Sequence, residues 1–418
     1  MTTYRIQNVD VAGAAWGTEA RGINNTGQIA GSYTLGLEFP TAPGGDPRNN
    51  PYPVAFIRNP DGSIVSTGPG QPYGQHANGY GINNLGQLVG QSGHYEETAR
   101  GFVWKTDGTF QRLEYTNDAA FTAAYGNNDW GGTVGQASPF TNSYPTPQPV
   151  GVYWRPNGQI KDIYSVPGST QTEATGTNNL GWVVGNYTVG LPNDPSYSQH
   201  GFMGWDSQHI WGIDMPGAVS TEVWDLTNTG EVVGTFQDAQ NHNHGFVDIA
   251  GHFDQVDIPG ATDTFIYGAN DLGQVVGAYR TQEDRDNTLS FSTHAFKATP
   301  LDHEQSAVNE HYLAAFGREA DEGGLNYWAG LLKSGLTPAD LARDLAGSPE
   351  FHSLHDHQTD RDYVDSVYAN GLGRQADAGG ESYWVGVLQS GTGRSDVLSA
   401  IAQSPEGQQH FAAVGHFG

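Results

Sequence analysis

Six times between residues 22 and 277 the chain writes one ten-residue phrase, in its fullest form Gly81-Ile82-Asn83-Asn84-Leu85-Gly86-Gln87-Leu88-Val89-Gly90. The copies end at Gly31, Gly90, Gly135, Gly185, Gly234 and Gly277, at intervals of 59, 45, 50, 49 and 43 residues. A period in that range belongs to propellers and other repeat architectures, in which one unit cannot bury its own faces but several arranged radially can. Asn and Gly tolerate positive φ, so the Asn-Asn-x-Gly center suits a tight turn between two strands. A variable stretch follows, then a second hairpin. Its copies include Gly101-Phe102-Val103-Trp104 before Asp107-Gly108, Val152-Tyr153-Trp154 before Asn157-Gly158, and His244-Gly245-Phe246-Val247 before Ala250-Gly251. Asp-Gly and Asn-Gly between apolar runs signal hairpins. The unit is therefore a four-stranded antiparallel sheet.

The two ends of the repeat region argue for closure. Fourth strands end in phrases such as Ile213-Asp214-Met215-Pro216-Gly217-Ala218 and Val256-Asp257-Ile258-Pro259-Gly260-Ala261. The chain opens with Val9-Asp10-Val11-Ala12-Gly13-Ala14, the same phrase with no blade before it, whereas the sixth copy stops after His294-Ala295-Phe296-Lys297. An orphan strand at the start completes an orphan blade at the end, which removes exposed sheet edges. The expected fold is an all-β six-bladed propeller over residues 1–299, closed by its N-terminal strand, with a small all-α domain behind it.

Composition shifts after Pro300, and from Ser306 onward the pattern is helical, with Ala, Leu and charged residues in place of Gly, Val and Asn. Gly317-Arg318, Asp321, Gly323-Gly324, Tyr327-Trp328 and Ser348-Pro349-Glu350 recur 56 residues later as Gly373-Arg374, Asp377, Gly379-Gly380, Tyr383-Trp384 and Ser404-Pro405-Glu406. Residues 300–308 read as a linker, and 309–418 as tandem modules over 309–352 and 362–412. Thr337-Pro338 and Ser348-Pro349 read as an N-cap followed by Pro at the first helical position. Asp321 and Asp377 are expected to cap or fix a turn. Trp328 and Trp384 are expected to anchor a small core in each module.

Charge excludes some functions. With 18 basic and 45 acidic side chains the net charge is −27, which repels nucleic acid and anionic membrane and favors divalent cations. No run of about 18 apolar residues offers a transmembrane helix. The N-terminus lacks the apolar center of a signal peptide. With no cysteine in the sequence, stability rests on no disulfide.

Both halves resemble known families. The ten-residue phrase joined to His200-Gly201-Phe202, His244-Gly245-Phe246 and His294-Ala295-Phe296 resembles the HAF-type repeats of extracellular bacterial proteins. Blades one to three depart from that pattern with Val54-Ala55-Phe56, Arg100-Gly101-Phe102 and Val150-Gly151-Val152. The Gly-Arg-x-x-Asp-x-x-Gly-x-x-Tyr-Trp repeat resembles the domain-of-unknown-function family 4214, found on secreted and surface-layer bacterial proteins and similar in turn to phycobilisome linker domains. The two resemblances imply an extracellular or cell-surface location, with export by a type I route. Neither family brings a catalytic signature.

Candidate site residues come from the entry to the first strand of each blade. The residue before each phrase is Arg21, Tyr80, Tyr125, Thr175, Trp224 and Tyr267; three positions before the phrase stand Glu19, Asn78, Ala123, Glu173, Glu222 and Phe265. If that strand is innermost, both sets approach the mouth of the central channel. Aromatics interspersed with carboxylates there suit a sugar or a cationic ligand, while the competing reading packs the aromatics between blades. The long segments 32–53, 136–149, 186–199 and 278–293 are expected on the same face, where variable loops on a rigid scaffold carry binding. His200, His244 and His294 fall in the repeat frame and read as structural. His242 with His244 is a weak zinc pattern, and Asp284 with Asp286 is a weak calcium pattern. No Ser-His-Asp, P-loop or His-Glu-x-x-His motif stands out.

Three classes of function follow, in this order. The first is a surface-associated binding protein, its propeller recognizing a glycan or other small molecule and its helical tandem serving attachment or self-association. The second is a structural subunit of an extracellular layer or filament. The third, which the sequence favors least, is a carbohydrate-active lyase or hydrolase using the Glu ring.

Overall fold

The structure is a computed structural model that describes residues 3–35, 52–67, 76–93, 99–115, 121–138, 148–191, 194, 197–286, 293–413 and 416–417. The chain divides into two compact units, residues 8–298 and residues 1–7 with 299–418. Six sheets of antiparallel strands follow one another along the chain, each of the first five built from four consecutive strands. The sixth takes Asp263–Ala269, Val275–Arg280 and His294–Pro300 in sequence and then Tyr4–Asn8 from the start of the chain. The seam continues past that strand: the Val9 amide donates to the Ala295 carbonyl (3.0 Å) and the Ala295 amide donates to Asp10 Oδ1 (2.7 Å). The short strand His416–Phe417 adds in parallel to Tyr4–Asn8, pairing Arg5 with His416.

Each phrase builds a turn and then a close approach. The first Asn holds the turn: Asn24 Oδ1 accepts from the amides of Thr26 and Gln28 at 3.1 and 2.9 Å, and the blades that keep this Asn repeat the pattern. In blade five Thr227 replaces it, and its hydroxyl accepts from the Glu231 amide at 3.1 Å. The turn glycine adopts positive φ in every copy, from 72° at Gly273 to 96° at Gly230, a region that a Cβ resists. The glycine that closes each phrase has a different task. A Cβ on Gly185 would lie 2.0 Å from the Glu173 carbonyl oxygen and 2.7 Å from the Phe202 ring. The first and second strands and the Phe of the third strand share one tight layer. Phe56, Phe102, Phe202, Phe246 and Phe296 are fully buried there, with Val152 in blade three.

The first strands are innermost, and their backbones meet at the axis. A Cβ on Gly22, Gly81 or Gly126 would sit 2.6–2.7 Å from the carbonyl oxygen of Tyr80, Tyr125 or Thr175 in the next blade. Every innermost strand also slips register at an equivalent place: Ala20/Gly22, Gly79/Gly81, Ala124/Gly126, Ala174/Gly176, Val223/Asp225 and Ile266/Gly268, the first strand slipping once more at Ala14/Thr18. The skipped residue is a β-bulge, which re-aims its side chain and sharpens the local twist.

The helical unit explains its own repeat. Gly317 and Gly373 end helices in the left-handed region (φ 65° and 66°), and Asp321 and Asp377 cap the next ones. Arg318 pairs with Glu350 and Arg374 with Glu406. Each indole N–H, of Trp328 and of Trp384, donates to a tyrosine hydroxyl, Tyr312 or Tyr368, at 3.1 Å. One expectation is corrected and one refined. The stretch read as a linker holds the start of the helix His303–Phe316, capped by Asp302 with Gln305 in a capping box. There are two core clusters as expected, Val308, Leu325, Leu341 and Leu345 with half-buried Trp328 against them, and Tyr363, Val367, Leu398 and Ile401 with half-buried Trp384, but the second also takes in Ala314, Ala342 and Phe351 of the first module. Among the described residues no helix is long and apolar enough to cross a membrane.

Glu310 of this unit is 9% exposed, and burial raises its carboxyl from 4.5 to about 7. The unfolded chain releases that proton near 4.5, so the folded unit binds more protons between the two values and its stability falls as pH rises through that window. Glu310→Gln is expected to remove this slope and to stabilize the helical unit above pH 7 by roughly 1–3 kcal/mol. Helical circular-dichroism melts of the full chain at pH 5 and pH 8 measure it; a variant with an unchanged pH slope contradicts it.

Candidate ligand-binding site in the axial channel

The six bulged residues are Arg21, Tyr80, Tyr125, Thr175, Trp224 and Tyr267, and the bulge turns them toward the axis. Arg21 is the hub. Its guanidinium donates to Glu19 Oε2 from Nε (3.0 Å) and Nη2 (2.7 Å). Its Cζ lies 5.6 Å from the Tyr80 ring center, 5.7 Å from Trp224 and 4.0 Å from Tyr267, which belong to blades two, five and six. Tyr80 meets Tyr125 edge-on at 5.2 Å, and Trp224 meets Tyr267 edge-on at 5.5 Å. Contacts at these distances are cation–π and T-shaped aromatic pairs.

The acids join the same cluster. Glu173 Oε1 accepts from Asn186 Nδ2 at 3.2 Å, and the Glu222 carboxylate sits against Gln199 and Trp224. Burial raises Glu173 to about 7, against the Asn186 hydrogen bond and with repulsion from Glu222 adding to it. Burial also raises Glu222, partly offset by Arg21. For Arg21, burial favors the neutral form but the Glu19 carboxylate more than reverses this and holds the guanidinium charged. Arg280 approaches from the side, with Cζ 5.4 Å from the Phe265 ring center. All eight residues expected at the mouth therefore form one cluster, and all are half-buried. The sequence did not foretell that the chain's own Arg21 would occupy the aromatic wall.

The other candidates lie elsewhere. His242 and His244 both face Asp238, at 3.5 and 3.3 Å, and His244 Nδ1 lies 2.9 Å from Asp257. Burial opposes protonation of His244, but the two carboxylates prevail and raise its pKa. Asp284 accepts from the Thr281 amide and hydroxyl, and Asp286 accepts from Gln282. Among the described residues no three His, Cys, Asp or Glu side chains are grouped to hold a metal ion. The repeat-frame histidines do share a geometry. His200, His244 and His294 bond to Asp214, Asp257 and Asp10, and stack on Tyr187, Phe236 and Tyr279 at 5.1–5.2 Å. Segments 36–51, 139–147 and 287–292, parts of the loops expected at the mouth, lie outside the described residues.

At the far end of the innermost strands, the second residues of the Asn-Asn pairs form a closed circle that the sequence reading took for turn chemistry alone. The amide of Asn25 donates to Asn84, Asn84 to Asp129, Asp129 to Asn179, Asn179 to Asn228, Asn228 to Asp271 and Asp271 to Asn25, each to Oδ1 at 2.7–2.9 Å. Asp129 Oδ2 also accepts from the side chains of Asn84 and Asn179, and Asp271 Oδ2 from those of Asn25 and Asn228. The order Asn-Asn-Asp-Asn-Asn-Asp thus gives every asparagine amide one carboxylate. This circle lines a polar cavity of about 60 Å³ together with the first-position asparagines and Asp225. The usable signal was that all six second positions are Asn or Asp, which a turn does not require.

The segment 293–355 and the segment 342–411 each match the family model described as Domain of unknown function (DUF4214). No curated protein matches the chain. Similar solved structures include a catalytically inactive virginiamycin B lyase from Staphylococcus aureus with quinupristin, at 11% identity and a TM-score of 0.40, covering 71% of this chain and 100% of that one. A gluconolactonase from Xanthomonas campestris is similar at 10% identity and 0.41, covering 71% and 90%. The β-propeller domain of the Trilobed protease from Pyrococcus furiosus follows at 10% and 0.36, covering 65% and 91%. At these scores the likenesses bear on neither ligand nor activity.

Proposed function

We propose that the propeller is the recognition head of a binding protein and that the mouth of its axial channel takes a small ligand bearing an ammonium or guanidinium group. The observation that carries this reading is the wall around Arg21. A guanidinium already rests there on three aromatic faces from three blades, with a carboxylate as its partner. Arg21 hydrogen-bonds to only one of the three acids, Glu19, and offsets the burial of Glu173 and Glu222 only in part. Among the described residues neither Glu173 nor Glu222 forms an ion pair, although both border the same aromatics. Desolvated carboxylates held only by neutral hydrogen-bond donors beside π faces attract a cation more strongly than they attract a neutral sugar.

The proposal extends to an extracellular, surface-attached protein whose helical tandem serves attachment or self-association. What supports that part is one exposed aromatic in each module: Tyr327 is 61% and Tyr383 63% exposed at equivalent positions, each edge-on to its neighboring tryptophan. The test of the site is a binding titration of the full chain with agmatine and spermidine, beside neutral oligosaccharides of similar size. Agmatine or spermidine should bind, and Glu173→Gln with Glu222→Gln should weaken it at least tenfold at an unchanged thermal midpoint. Equal affinity for the neutral sugars, or a cation affinity indifferent to both substitutions, overturns the reading.

A further inference from the structure

His200 lies in the third strand of blade four, Ser198–Asp206, two residues after Ser198 and on the same face. Its ring stands between two partners. Nδ1 is 3.1 and 3.2 Å from the two oxygens of Asp214, and Nε2 is 2.9 Å from Ser198 Oγ. Blades five and six repeat the first half of this arrangement but not the second. There the far nitrogen meets a carboxylate, Asp238 at 3.3 Å from His244 Nε2 and Asp284 at 3.7 Å from His294 Nε2. A histidine between two carboxylates is a clamp that needs both nitrogens protonated. A histidine between a carboxylate and a hydroxyl is different: the carboxylate only accepts, so it fixes the proton on Nδ1 and leaves the Nε2 lone pair to take the serine O–H. That is the order of partners that activates a serine nucleophile.

The geometry points to a serine hydrolase site in blade four, with Ser198 as nucleophile, His200 as general base and Asp214 orienting the imidazole, acting on an activated carboxylic ester. The His200 side chain is 32% and Asp214 47% exposed, so solvent reaches the group. The tight Tyr187–His200 stack holds the ring in place, with centroids 5.2 Å apart. The site is independent of the channel cluster, although Gln199, between Ser198 and His200, meets Glu222. In the reaction Ser198 Oγ bonds to the carbonyl carbon as its proton passes to His200 Nε2. The tetrahedral adduct then expels the alcohol, which takes that proton, and leaves an acyl-serine. Water repeats the sequence, giving the carboxylic acid and the free hydroxyl. General-base assistance contributes on the order of 10²–10⁴, and each oxyanion donor on the order of 10²–10³ more. With base and orienting acid alone in evidence, an ester with a good leaving group is the fitting substrate class, not an amide.

The test is labeling of the full chain with a fluorophosphonate probe, read by intact mass and peptide mapping. One adduct is expected on Ser198, absent from Ser198→Ala and formed at least about 100-fold more slowly in His200→Gln. Asp214→Asn should slow it as well by mis-setting the tautomer, and it serves as the second measure should the histidine variant lose its thermal transition. No adduct on Ser198 in the folded wild type, or labeling at the same rate in the folded variants, overturns the assignment and leaves Ser198 as a mere hydrogen-bond partner.

Discussion

Gly185→Ala is expected to destabilize the propeller by roughly 3–5 kcal/mol, the upper range for overpacking a core. The added methyl would fall 2.0 Å from the Glu173 carbonyl oxygen and 2.7 Å from two atoms of the Phe202 ring. Neither can retreat easily. The carbonyl belongs to an innermost strand whose backbone already abuts the next blade, and Phe202 is fully buried. Gly217→Ala is the matched control for glycine chemistry, since nothing lies within 4 Å of its Cβ direction and its cost comes from φ 83° alone. Urea denaturation of the two variants should separate them by about 2 kcal/mol or more, given about 1 kcal/mol for the strained φ. Equal midpoints would mean that the closing glycine of the phrase is not a packing requirement.

Asp271→Asn should cost roughly 2–4 kcal/mol despite changing a single atom, because hydrogen bonds to charged groups are worth about 1.5–3 kcal/mol each. Asp271 Oδ2 receives the side-chain amides of both Asn25 and Asn228. An amide nitrogen in that place would set three donor groups against one another, and turning the side chain would only move the clash to the Asn228 backbone amide, which donates to Oδ1 at 2.7 Å. Burial works against ionization of Asp271, but the hydrogen bonds from Asn25 and Asn228 outweigh it and lower the pKa. A lowered carboxyl stabilizes the fold above its unfolded pKa and loses that contribution as pH falls through the folded one. The wild type should therefore lose more stability on acidification below pH 4 than the variant does. Thermal melts at pH 7 and pH 3 give both numbers, and a variant as stable as the wild type at pH 7 would show that the circle of amides does not clasp the ring.

Much of this architecture was legible because it is periodic. The ten-residue phrase recurs with its turn glycine, and the same count along each phrase picks out residues that share one side-chain cluster. Periodicity also set the limits. Arg21 reaching across to Trp224 of blade five is a matter of side-chain length and direction, which no repeat frame encodes. The Asn-Asn-Asp order makes sense only once the six turns stand in a circle and each carboxylate can serve two neighbors. Ser198, His200 and Asp214 escaped because only the last two belong to the frame. The start of the helix at His303 escaped because Asp302 and Gln305 form their capping box inside a stretch without strong apolar periodicity.

The central claim, that the channel mouth binds a cation through Glu173 and Glu222, predicts a proton balance. Burial holds Glu173 at about 7, so at neutral pH about half of the molecules carry a proton there. A bound ammonium or guanidinium favors the ionized form, and binding should therefore expel part of that proton. Calorimetric titration of agmatine at pH 7, in two buffers of different ionization enthalpy, measures the release directly. The account predicts release of up to about half a proton per ligand in the wild type and none in Glu173→Gln. Binding with no proton release, or with the same release in Glu173→Gln, would contradict it.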